Sequence, residues 1–178
     1  WQAGYQPTFE SVGCFSHIHE WTMGGLGMMP TNGSLNTVVG DESDPDSGYR
    51  SRIDKLSEEA PLGYYKVDLT DYGIRAELTA TTHCGFLRYT FPSDKDSARV
   101  LVDLHIPAEY DYQLKDIEIK KVSDTRIEGF SHQLSKNVWS SDADQEYTIH
   151  FVIEFDQPIL SMGGWVNEKR QITDRLTA

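Results

Sequence analysis

From residue 63 onward, apolar and polar positions alternate with a period of two, the signature of strands with one buried face. Tyr65, Val67 and Leu69 alternate with Lys66, Asp68 and Thr70. Ile74, Ala76, Leu78 and Ala80 alternate with Arg75, Glu77, Thr79 and Thr81. Val100, Val102, Leu104 and Ile106 are set against Arg99, Asp103 and His105. Ile117 and Ile119 are set against Asp116, Glu118 and Lys120. In the longest run, Tyr147, Ile149, Phe151, Ile153 and Phe155 face away from Thr148, His150 and Glu154. Phe86 to Phe91 forms a less regular strand. Turn-forming residues separate the runs: Asp71-Tyr72-Gly73, Pro92-Ser93-Asp94 and Ser123-Asp124. No amphipathic helix of three turns appears, and Glu10 to Met23 lacks a helical period. The pattern predicts an all-β fold, an antiparallel β-sandwich with apolar faces packed together and polar faces in water. With no internal repeat and no low-complexity linker, residues 1–178 read as a single domain.

The amino-terminal forty residues are different. Met23-Gly24-Gly25-Leu26-Gly27-Met28-Met29-Pro30-Thr31-Asn32-Gly33 is interrupted by Gly and Pro and reads as a loop with close backbone approaches. Gly40-Asp41-Glu42-Ser43-Asp44-Pro45-Asp46-Ser47-Gly48 reads as a solvated acidic loop, because it lacks the downstream bidentate Glu of an EF-hand.

Composition narrows the partners. A formal net charge of −12 repels phosphate backbones and anionic lipid, so the expectation is no nucleic acid and no membrane surface. No stretch reaches transmembrane length, and Trp1-Gln2-Ala3-Gly4-Tyr5 lacks the basic start and apolar run of a signal peptide. Nine Tyr and four Trp supply flat apolar faces with polar edges, suited to sheet cores and to sugar stacking. The two cysteines, Cys14 and Cys84, make no disulfide scaffold in a chain this long.

Chemistry concentrates in Phe15-Ser16-His17-Ile18-His19-Glu20-Trp21. If this stretch is extended, His17 and His19 share one face and Ile18 and Glu20 the other. Three readings stand open. His-x-His on a strand suits zinc, given a third ligand. Two histidines hydrogen-bonded in a packed turn would be structural. A Trp beside His and Glu would suit a sugar, whose C–H face stacks on a ring while its hydroxyls need polar partners. Gly24-Gly25-Leu26-Gly27 lacks the Lys-Ser/Thr of a phosphate-binding loop. Cys84, next to His83, has no further support as a nucleophile. Arg75, Glu77 and Arg88 on polar strand faces predict surface ion pairs.

Gly13-Cys14-Phe15-Ser16-His17-Ile18-His19-Glu20-Trp21, continuing to Pro30-Thr31-Asn32-Gly33, resembles a segment of glycoside hydrolase family 92: Gly-Phe-Ser-His-x-His, ending in a Pro-Thr-x-Gly turn. Matching motifs follow in order: Gly48-Tyr49-Arg50-Ser51-Arg52, Pro61-Leu62-Gly63-Tyr64-Tyr65-Lys66-Val67, Ala76-Glu77-Leu78-Thr79-Ala80-Thr81-Thr82 and Gly85-Phe86-Leu87-Arg88-Tyr89-Thr90-Phe91-Pro92. Ile127-Glu128-Gly129-Phe130 and Phe151-Val152-Ile153-Glu154-Phe155-Asp156-Gln157-Pro158 resemble later strands. Two features depart from the family. Ile53-Asp54-Lys55-Leu56-Ser57-Glu58-Glu59 replaces a segment that contains His and Glu, and cysteine stands at positions 14 and 84.

The resemblance implies a supersandwich-like N-terminal β-domain, incomplete at both ends, of a calcium-dependent exo-α-mannosidase. That enzyme would cleave mannose from N-glycans with inversion, in a periplasmic or secreted setting. The family places the catalytic carboxylates and calcium ligands in a separate C-terminal (α/α) barrel, absent from this chain. No catalytic residue and no metal ligand are therefore expected here, and the isolated chain is expected to be inactive. Its partners would be a mannose-containing glycan and its own catalytic domain. The family motif places His17, His19, Glu20 and Trp21 in a loop that contributes to the substrate pocket. The His-Glu-Trp version resembles the branch acting on α-1,2-linked mannose, with the Trp packed on the leaving sugar. The alternative is a stand-alone carbohydrate-binding β-sandwich module.

Overall fold

The computed structural model describes residues 5–20, 23–93, 97–105, 112–138, 143–166 and 169–178. Within them run β1 (Ser11–Val12), β2 (Phe15–Glu20), β3 (Met23–Thr31), β4 (Ser51–Glu59), β5 (Tyr64–Leu69), β6 (Ile74–Ala80) and β7 (Gly85–Thr90). Then come β8 (Arg99–Asp103), β9 (Tyr112–Lys121), β10 (Arg126–Val138), β11 (Ala143–Glu154), β12 (Gly163–Val166), β13 (Lys169–Ile172) and β14 (Arg175–Thr177). A 3₁₀ turn at Pro45–Ser47 is the helical element among the described residues. No helix there is long and apolar enough to cross a membrane. The fold is all-β with antiparallel sheets, as the alternation predicts.

The chain divides into two compact units. The amino-terminal unit takes in Gln2–His19 and Leu26–Ile106; the carboxy-terminal unit takes in Glu20–Gly25 and Pro107–Ala178.

In the amino-terminal unit, a five-stranded sheet runs β1-β4-β5-β6-β7. Val67 lies opposite Ala76 and Leu69 opposite Ile74, and all four are fully buried. Cross-strand apolar pairs of this kind are the unit of sheet stabilisation. The other face carries the predicted ion pairs. Arg75 grips Asp68 with two hydrogen bonds of 2.7 and 2.9 Å, and Arg88 grips Glu77 with two of 2.8 and 2.5 Å. Gly73 closes the β5–β6 turn at φ +64°, where a side chain would be strained. A three-stranded sheet runs β2-β3-β8. Phe15 of β2 joins it to the larger sheet, its ring centroid 6.2 Å from Tyr65 and 6.3 Å from Tyr89.

Two segments differ from the sequence reading. Met23–Thr31 is a nine-residue strand, not a loop. Both of its faces are covered: Met28 and Met29 are both buried, and Gly24, Gly25, Gly27, Pro30 and Thr31 are buried with them. A strand buried on both sides has no polar phase, so alternation cannot reveal it. Gly25 fits where a side chain would not. In β8 the buried residue is Leu101, opposite the buried Met29, whereas Val100 and Val102 keep partial exposure. The buried position of β8 is thus Leu101, which pairs with Met29 of β3.

In the carboxy-terminal unit a four-stranded sheet runs β11-β10-β9-β14, beside a β12–β13 hairpin. Ile117, Ile119, Ile127, Phe151 and Leu176 are buried, matching the predicted phase of β9 and β11. On β10, however, the same inward phase continues as Ser131, Gln133 and Ser135, each no more than 1% exposed.

Candidate functional site

The histidine cluster is extended, as its reading required: Phe15–Glu20 is strand β2. Phe15, on one side of the strand, is buried, and His17, two residues on, is exposed. The His17 ring is not loose. Its Nε2 lies 3.0 Å from the Thr79 carbonyl oxygen on β6. A carbonyl only accepts, so this bond puts the proton on Nε2 and leaves Nδ1 as an acceptor. The ring also lies against Gly85: a Cβ there would come within 2.6 Å of both Cγ and Nδ1. Gly85 therefore makes room for the ring. His17 so has the satisfied hydrogen bond of the structural reading while the residue as a whole remains exposed.

His19 and Glu20 complete β2, and Trp21 lies outside the described residues. The boundary between the two compact units falls between His19 and Glu20.

Immediately after Trp21 the chain is anchored within the carboxy-terminal unit. The Gly24 N–H donates to the Tyr147 hydroxyl at 3.2 Å. That hydroxyl donates to Gln133 Oε1 at 2.7 Å, and Gln133 Nε2 donates to Ser131 Oγ at 2.7 Å. Gln133 and Tyr147 are directly opposite each other on β10 and β11. Gly25 adopts φ +119° and sits so close that a Cβ would lie 1.8 Å from Gln133 Nε2. Sequence reading missed this array. Its signal was present all the same: Ser131, Gln133 and Ser135 stand in the phase that Ile127 opens, where apolar residues are expected.

The remaining chemically suggestive groups are structural. The Cys14 thiol is withdrawn from water, and burial followed by the nearby Asp103 charge pushes its pKa up to about 12. A thiol held protonated is a poor nucleophile. Next to it the Tyr49 hydroxyl donates to Asp103, and burial raises the Tyr49 pKa. Arg50 donates to the Ser11 carbonyl and hydroxyl at 3.4 and 3.3 Å. These contacts tie β8 to the start of the unit. Cys84 is exposed in the β6–β7 turn, and neither cysteine is in a disulfide.

Among the described residues, the carboxylates whose pKa values move all move down. Arg88 first, then Tyr64, holds Glu77 at about 2 by hydrogen bonding. Arg75 lowers Asp68, Arg52 lowers Asp46, and the Ser43 hydroxyl lowers Asp41. A general acid needs the opposite shift. Among the described residues, no three His, Cys, Asp or Glu gather into a set that could hold a metal ion.

Comparison with known proteins matches these features to a family. The model of the glycosyl hydrolase family 92 N-terminal domain matches residues 1–177. Two structures of a family GH92 α-mannosidase from Bacteroides thetaiotaomicron share the fold, one of them in complex with mannoimidazole. Each has a TM-score of 0.83 and 24% identity over 98% of this chain. The chain spans 24% and 23% of the length of those solved chains. No curated protein matches it. The family model runs almost end to end, through both compact units and through the histidine strand, so this chain belongs to the N-terminal domain family of glycosyl hydrolase family 92.

Proposed function

We propose that this chain is the substrate-contacting N-terminal domain of an inverting, calcium-dependent exo-α-mannosidase, acting on α-1,2-linked mannose of N-glycans. The observation that carries the reading is the family match over residues 1–177, set beside a chain that covers about a quarter of its structural neighbours. The family model spans both compact units. The α-mannosidase activity named for the neighbour supplies the reaction class, and this chain supplies contacts to the sugar.

His17, His19, Glu20 and Trp21 are the contact residues in this reading. The His17 hydrogen bond to Thr79 presents Nδ1 to accept from a sugar hydroxyl. Glu20 accepts from hydroxyls, and the Trp21 indole covers the C–H face of the leaving sugar. Inversion needs a general acid with a raised pKa and a general base about 6.5–9.5 Å away, with water between them. Glu77 and Asp68 are instead held ionised by arginine. In this reading the acid, the base and the calcium ligands belong to a catalytic domain outside this chain. An enzyme of this kind works on exported glycans, which places the parent protein in the periplasm or outside the cell.

The test is Trp21→Ala in the full-length enzyme, assayed on α-1,2-mannobiose. The expected outcome is a kcat/KM on the order of tenfold or more below wild type, the scale of one lost stacking contact. Unchanged kcat/KM would remove Trp21 from the pocket. Saturable sugar binding by the isolated chain would instead favour a stand-alone binding module.

A further inference from the structure

In the carboxy-terminal unit the fold brings three segments together and leaves an aliphatic side chain of each in water. Leu160 is 97% exposed, Ile172 89% and Val122 43%. They stand after β11, at the end of β13 and in the β9–β10 turn. Backbone hydrogen bonds tie these segments to one another. The Ile159 N–H donates to the Asp124 carbonyl at 2.6 Å, and the Lys121 N–H to the Asp174 carbonyl at 2.8 Å. The Thr173 N–H donates to the Met162 carbonyl at 3.2 Å, and Lys121 Nζ to the Ile159 carbonyl at 3.1 Å. Each exposed residue is the chain neighbour of one that makes these bonds. A single exposed leucine is ordinary on a protein surface. Three aliphatic residues gathered from separate segments form a patch, and such patches mark contact sites.

The strand that carries Ile172 adds a second observation. β12–β13 is a two-stranded hairpin, and a hairpin of that size is marginal in water unless a face is covered. Its β12 strand leans on the core: a Cβ at Gly164 would come within 2.7 Å of Cδ2 of the buried Leu176. All four residues of β13, Lys169–Ile172, are exposed.

Chemistry and size select the occupant. Aliphatic side chains give a sugar no ring to stack on and no polar partner for its hydroxyls. The net charge of −12 disfavours an anionic lipid surface. A free protein partner, a second copy included, must offset its lost translation and rotation, and stable interfaces bury roughly 800 Å² per side. Three aliphatic side chains supply only a small part of that. A domain tethered in the same chain is held at high effective concentration, so a small patch is enough. This chain spans 24% and 23% of its solved neighbours, so most of such a protein lies outside it.

We propose that Val122, Leu160 and Ile172 form a docking patch for the remainder of the parent chain, which receives them in an apolar groove. The proposal rests on the reading of this chain as one domain of a longer enzyme. Docking buries the three side chains and gives β13 a covered face.

The test uses the full-length enzyme, with Cys84→Ser removing the exposed thiol. Leu160→Cys and Ile172→Cys are introduced separately, and alkylation by iodoacetamide is followed by peptide mass spectrometry, in native buffer and in urea. Each new cysteine is expected to react about tenfold or more slowly in the native enzyme than in the unfolded one. A photo-crosslinker attached to the same thiols is expected to reach residues of the same chain outside the present 178. Native rates equal to the unfolded rates at either position would overturn the proposal. So would cross-links that reach only these 178 residues or a second copy. Mannose release from α-1,2-mannobiose by the unaltered enzyme is read alongside. Release together with unprotected cysteines overturns the patch and leaves the enzyme reading intact. Protected cysteines without release support the patch and remove the activity reading.

Discussion

The two cysteines occupy opposite environments, and their reactivity should show it. Cys14 is desolvated beside Asp103 and Tyr49, with its pKa raised to about 12, whereas Cys84 sits exposed in a turn. At pH 8, iodoacetamide is expected to label Cys84 and spare Cys14 in the folded chain, read by peptide mass spectrometry. Equal labelling of both would contradict the burial of Cys14. Glu77 is the clearest titrating group. Its folded pKa of about 2 lies below its ordinary 4.5, so its stabilising contribution is present above about pH 4.5 and is lost as pH falls toward 2. Glu77→Gln is expected to flatten the fall in thermal midpoint over that window, and a parallel fall in both proteins would contradict the Arg88 and Tyr64 contacts. The surface ion pairs were legible from the alternation of Arg75, Glu77 and Arg88. Cys14 was not, because its neighbours Tyr49 and Asp103 are 35 and 89 residues away in the chain and meet only through the fold.

At the scale of the element, the central strands carry the stability. Leu69 is fully buried opposite Ile74, so Leu69→Ala should cost about 2–5 kcal/mol, measured as a shift of the urea midpoint. A cost below about 1 kcal/mol would contradict the core assignment. Gly25→Ala should cost roughly 2–4 kcal/mol, because it combines a positive φ with a clash against the Gln133 amide. Near-wild-type stability would mean that Gly25 does not lie against Gln133. β5 to β9 and β11 were legible because most have one wet face and so alternate, whereas β10 was not read from its alternation. β3 was not, because it is covered on both faces and its Gly and Pro residues imitate a loop. The same limit hid the buried position of β8, Leu101, which pairs with Met29 of β3. The buried row on β10 was hidden for a different reason: Ser and Gln in an inward phase look like an ordinary polar strand until their partners are known.

For the molecule as a whole, the net charge of −12 disfavours anionic partners, and the ligand proposed above is a neutral sugar. The fold class was readable from periodicity, and the family from motifs in the right order. The candidate site was readable only as a stretch of sequence. Its anchors, Thr79 and Gly85 for His17 and Gln133 and Tyr147 for Gly24 and Gly25, come from strands far along the chain. They include none of the carboxylates that hydrolysis needs, and the described carboxylates with shifted pKa values are held ionised. The central claim is therefore a division of labour: contacts in this domain, proton transfer elsewhere in the parent enzyme. The most direct measurement is mannose release from α-1,2-mannobiose by the isolated 178-residue chain and by the full-length enzyme, side by side. The account predicts turnover by the full-length enzyme and none above the buffer blank by the isolated chain; mannose release by the isolated chain would contradict it.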